Sequence, residues 1–71
     1  MISFAINSHS NWRKEFARFE TELSKHKIKV TDCAPGSSEV LISVQTSKIT
    51  ENEIVVELAQ KWFGAAYNGQ L

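Results

Sequence analysis

Between residues 28 and 44 the chain runs Ile28-Lys29-Val30-Thr31-Asp32-Cys33-Ala34-Pro35-Gly36-Ser37-Ser38-Glu39-Val40-Leu41-Ile42-Ser43-Val44, two alternating runs parted by a turn. Ile28 and Val30 alternate with Lys27, Lys29 and Thr31, and Val40, Ile42 and Val44 alternate with Leu41, Ser43 and Gln45. That is the period-two pattern of strands with one buried face. Ala34-Pro35-Gly36-Ser37-Ser38 is the clear turn signal of the chain, because Pro fixes φ and Gly accepts conformations other residues avoid. The stretch predicts a β-hairpin whose loop holds about five residues.

Upstream, Ile2, Phe4 and Ile6 alternate with Ser3, Ala5 and Asn7 and predict strand one. Asn7-Ser8-His9-Ser10-Asn11 offers several capping side chains, and Trp12, Phe16, Phe19 and Leu23 follow at spacings that place them on one side of a helix over 11–25. Downstream, Thr50-Glu51-Asn52-Glu53 fits a capping box, so helix two is expected to start there and to run through Ile54, Val55, Val56, Leu58, Ala59, Trp62 and Phe63 to a breaker at Gly64. Ala65 to Leu71 reads as a short tail.

The order is β-α-β-β-α. Strands one and two joined through a helix predict a parallel pair, with strand three running back against strand two. The fold expected is therefore an α+β two-layer α/β sandwich, a three-stranded mixed sheet with two helices on one face. It resembles a ferredoxin-like split βαβ unit lacking its last strand, a likeness of architecture that carries no function. This topology would gather Asn7 to Asn11, Asp32 to Ser38 and Ala65 to Leu71 at one end. Lys27 and Lys29 would blunt the edge formed by strand two, leaving strand one or three, whichever lies outermost, less protected.

With 71 residues, one compact domain over 1–71 is expected. A hydrophobic fraction of 42% and eight Lys+Arg against eight Asp+Glu mark an ordinary globular composition without the field of a general polyanion binder. The single Cys33 closes no disulfide within the chain, the N-terminus lacks the pattern of a secretory signal, and no window reaches membrane-spanning length. A cytoplasmic location follows as the expectation.

Motifs with chemistry are sparse. His9 and His26 stand seventeen positions apart and match no metal-ligand spacing with Cys33, so neither a metal nor a cofactor is expected. Ser8-His9-Ser10 lies where a helix N-terminus could hold an anion but lacks phosphate-loop glycines and reads as a cap. Asp32, Cys33 and His9 are expected at one end and could make a thiol nucleophile, the third and weakest reading. Lys14, Arg18 and Lys25 form a basic ridge on helix one, interleaved with Glu15, Glu20 and Glu22, and give the second reading, a nucleic-acid-associated module.

The first reading comes from helix two. At about 100° per residue its apolar side chains span roughly 200°, wider than the stripe a sheet-packed helix needs. Val56, Trp62, Phe63 and Tyr67 are expected to form a partner-binding surface, and the chain to act by docking on another protein, as a homodimer or as a regulator or inhibitor of a larger partner.

Overall fold

The structure is a computed structural model that describes residues 1–71. Its elements are β1 (Ile2–Asn7), α1 (Trp12–Lys25), β2 (Lys29–Pro35), β3 (Glu39–Gln45), α2 (Ile49–Phe63), a 3-10 turn (Gly64–Ala66) and β4 (Tyr67–Gln70). The sheet order is β2-β3-β1-β4 and every pairing is antiparallel.

Two features of the expected sheet are corrected. The sheet has four strands, because the tail returns as β4, and it is antiparallel throughout instead of mixed. β3 pairs with both β1 and β2 and so separates the two strands that were expected to lie side by side. Both β1 and β3 are interior, so the open edges are β2 and β4. The added strand completes the β-α-β-β-α-β order of the ferredoxin-like arrangement.

Alternation decides what each strand buries. Ile2, Phe4 and Ile6 of β1 and Val40, Ile42 and Val44 of β3 are buried on the face that meets the helices. Across this layer Phe4 meets Phe19 edge-on, with ring centroids 5.6 Å apart, and Phe63 lies 5.3 Å from Phe19. Trp12, Leu23, Ile28, Val55 and Ala59 complete the core. On the other face Ser3 and Ser43 share a hydroxyl hydrogen bond of 2.9 Å.

The hairpin forms as expected, with β2 running through Pro35 and a tighter loop over 36–38. Gly36 N–H donates to the Glu39 carbonyl at 2.7 Å, and a Cβ at Gly36 would sit 2.8 Å from that oxygen, so only glycine fits.

The helix ends differ in detail from the sequence reading. No Asn or Ser side chain caps α1; Glu15 in its first turn reaches back to His9 instead. At the other end Lys27 N–H bonds to the Ser24 carbonyl and Ile28 N–H to that of Leu23, the paired bonds of a Schellman motif. The motif holds Lys27 at φ 60 and brings Ile28 against Leu23 in the core. α2 starts at Ile49, so Lys48 is its N-cap and Thr50, expected to cap the helix, lies inside it. The capping carboxylate is Glu51, which accepts from Ser47 N–H at 2.8 Å and from its hydroxyl at 3.1 Å. That bond holds the Glu51 carboxyl below the usual carboxylate range. Gly64 ends the helix as expected.

Candidate functional site

α2 buries one stripe, Val55, Ala59 and Phe63, and has a flank on each side of it. Half-buried Trp62 lies on the flank toward α1; Ile49, Asn52 and Val56 lie on the flank toward β4. The four side chains expected to make one partner surface are therefore dispersed.

Phe63 is a correction. It is 3% exposed and packed against Phe4 and Phe19, so it belongs to the core and not to an exposed surface. The broad arc of α2 misled because a helix central in its layer touches the sheet, the other helix and the returning tail at once. Tyr67 is half-buried with its ring 5.6 Å from that of Phe4, and burial pushes its phenol above the usual range. Trp62 sits between the helices with Arg18 and Lys61 at 5.9 and 5.1 Å from its ring, within cation-π range. Its buried Nε1 finds no acceptor in the chain. Val56 lines an open groove beside a large exposed apolar side chain, Ile49.

That groove, of about 480 Å³, lies between α2 and the edge strand. Ile49, Asn52, Glu53, Val56 and Glu57 line it from the helix and Gln70 from β4. Ile49 is 76% exposed. Glu53 and Glu57 stand one helical turn apart and neither forms an ion pair. Like charges at this spacing disfavour each other.

At the rim of this groove β4 is a free sheet edge, and Gln70 is the residue whose backbone groups are left open there. Leu71 N–H donates to the Ser3 carbonyl at 2.9 Å, and Gln70 stands opposite Phe4. Because successive residues of an antiparallel strand turn their backbone groups to alternate sides, Gln70 directs its N–H and C=O away from β1. Its side chain shares the helix-facing side with that of Phe4. The two edges also differ in protection. β2 carries Lys29, Asp32, Pro35 and an irregularity between Val30 and Asp32, all features that discourage strand pairing. β4 is Tyr67-Asn68-Gly69-Gln70 and carries no charge. Its position is fixed at the other end by Asn68, whose amide donates to Asn7 Oδ1 at 2.6 Å and to Glu39 Oε2 at 2.7 Å.

Sequence reasoning missed Ile49, Glu53, Glu57 and Gln70. Ile49 precedes the helix start that the Thr50 capping box predicts, and a four-residue strand with Asn and Gly carries no alternation to read. The usable signal was Ile49-Thr50-Glu51-Asn52-Glu53-Ile54, in which an apolar residue precedes the predicted helix start.

The remaining candidates are accounted for by local structure. Ser8 N–H bonds to the Ser38 carbonyl, so the segments after β1 and β2 do meet, as expected. Gln70 and Leu71 run away toward Ser3, at the opposite end. His9 bonds through Nδ1 to the Asn7 carbonyl at 3.1 Å and through Nε2 to Glu15 at 2.5 Å. The Asn7 carbonyl and then the Glu15 carboxylate raise its pKa. Neither ring nitrogen is directed to Cys33. Burial, with Asp32 and Glu20 adding to it, holds the Cys33 thiol above its usual range, the reverse of what a nucleophile needs. Lys14, Arg18 and Lys25 are exposed on α1, where Lys25 pairs with Glu22 at 3.5 Å. No group of three His, Cys, Asp or Glu side chains converges in a way that would hold a metal ion. No helix is long and apolar enough to cross a membrane.

Comparison with family models, with curated proteins and with solved structures finds no match.

Proposed function

We propose that this chain is a small protein-docking domain of the cytoplasm that binds another protein through the face where α2 meets β4, as a regulator or inhibitor of a larger partner or as one half of a homodimer. The observation that supports this reading is an exposed Ile49 beside half-buried Val56, next to the unprotected strand edge. An isolated exposed apolar residue is ordinary. One that borders a groove with open backbone donors and acceptors has the two elements a docking site combines, apolar area and directional hydrogen bonds.

The test is affinity capture from the native cell extract by wild type and by Ile49→Glu, with circular dichroism to show that both fold. A protein retained by wild type and lost by the variant supports the reading; equal recovery contradicts it. Light scattering addresses the homodimer separately. A mass above that of one chain that falls in Ile49→Glu supports self-association, and one chain throughout the micromolar range removes it.

A second reading, a nucleic-acid-associated module using Lys14, Arg18 and Lys25, draws on the placement of Arg18 and Lys61 beside the Trp62 ring, with Lys14 lining the same cleft. Salt-dependent binding to single-stranded oligonucleotides, weakened in Arg18→Ala, is its expected sign. No binding at low salt would close it.

A further inference from the structure

We infer that the occupant of the α2–β4 groove is an extended segment of another protein that adds to the sheet beside β4 and carries, on its helix-facing side, an apolar residue and a Lys or Arg two positions away. This rests on the docking reading above and names the partner's chemistry.

Three observations carry it. First, β4 is the free edge of the sheet with no charged side chain, while β2, the other edge, carries Lys29, Asp32 and Pro35. An uncharged edge is the one a further strand joins. Second, Gln70 turns its backbone N–H and C=O outward, the donor and acceptor that an incoming strand uses. Third, the wall above that edge is chemically mixed. Ile49 and Val56 supply apolar surface, and Glu53 and Glu57 supply two carboxylates without a cation of their own chain.

The geometry sets the pattern of the incoming segment. Alternate side chains of an added strand point to the same face, so those facing α2 lie two positions apart. One packs on Ile49 and Val56. The next, if cationic, reaches Glu53 and Glu57 and relieves their mutual repulsion. An acidic segment would add a third negative charge to the groove, and a helical one would leave the Gln70 backbone groups unused. β-strand addition with side-chain pockets on one face is an established mode of peptide capture.

The experiment is panning of a phage-displayed library of short random peptides on the immobilised chain, followed by titration of the best synthetic peptide into wild type, Glu53→Lys/Glu57→Lys and Gln70→Pro. Gln70→Pro removes an N–H that makes no bond within the sheet, and Pro is tolerated at such edge positions, so the fold is retained; circular dichroism verifies this. Enriched peptides are expected to share an apolar residue and a Lys or Arg at a spacing of two. Affinity is expected to fall about tenfold or more in each variant, the scale of two reversed charge pairs or of a lost strand register. Selection of peptides without the basic residue, unchanged affinity in Gln70→Pro, or no enrichment on wild type would each overturn the inference. If Ile49→Glu still abolishes capture of a partner in that event, docking stands and strand addition falls; if it does not, both fall.

Discussion

Truncating Phe63 to Ala separates a core residue from a docking residue more sharply than any other single change in α2. The ring is 3% exposed and lies 5.3 Å from Phe19 and 6.1 Å from Phe4, so its removal deletes buried apolar area and two aromatic neighbours together. A Phe→Ala change at such a site costs about 3–5 kcal/mol. A chain of this size has a total stability of roughly 4–11 kcal/mol, at the usual value per residue. Phe63→Ala is therefore expected to lose about a quarter or more of the stability, and to unfold outright if the total lies at the low end. Phe63→Leu keeps most of the volume and is expected to cost about 1.5 kcal/mol, so the series stays measurable. Ile49→Ala, at an exposed position, is expected to change stability by less than about 0.5 kcal/mol. Urea unfolding followed by far-UV circular dichroism gives all three values from one protocol. A loss under about 1 kcal/mol for Phe63→Ala with an unchanged denaturant slope would mean that this ring is not enclosed, and the assignment of α2's buried stripe would be wrong.

Three further outcomes follow from the geometry. Lys27 holds φ 60 in the motif that ends α1, a conformation that costs a side-chain-bearing residue about 1 kcal/mol, so Lys27→Gly is expected to raise the thermal midpoint slightly, offset in part by the freer unfolded chain; a lowered midpoint would contradict the strain. His9, held by the Asn7 carbonyl and Glu15, is expected to titrate above the ordinary imidazole value by NMR, and Glu15→Gln to bring it down. Its contribution to stability is full below the unfolded pKa and fades as pH rises through the higher folded one; an ordinary titration in wild type would remove the pair. Glu51 has the opposite sign: its contribution is present above the ordinary carboxylate pKa and is lost as pH falls through the depressed folded value, so Glu51→Gln should flatten the acid limb of the stability curve, and an unchanged limb would show that the cap to Ser47 does not form.

The elements that carry strong alternation or helical spacing were legible in the sequence. β1, the hairpin and both helices follow from Ile2-Phe4-Ile6, from the runs either side of Pro35-Gly36, from the spacing of Trp12, Phe19 and Leu23 in α1 and from that of Val55, Ala59 and Phe63 in α2. β4 was not, because Tyr67-Asn68-Gly69-Gln70 owes its extended form to partners far away in sequence. These are the bonds from Asn68 to Asn7 and Glu39, the packing of Tyr67 on Phe4, and the β1 ladder, with Gly69 at φ 104 accommodating the irregular register. The antiparallel pairing of β1 with β3 was likewise hidden, since alternation states which face is buried and leaves the neighbour open. The groove depends on both, so its residues surfaced only once the edge was in place. Val56 and Phe63 satisfy the same periodicity, yet Val56 stays half-buried on one flank of the helix whereas Phe63 goes to the core.

The proposed docking edge is tested most directly by amide hydrogen exchange at Gln70, in the free chain and with a peptide selected for binding. The account predicts rapid exchange at Gln70 in the free chain beside a slower Leu71, whose N–H bonds to Ser3, and a marked slowing at Gln70 once the peptide is bound. Gln70 already protected without a partner, or exchange at Gln70 unaltered in a saturated complex, would contradict it.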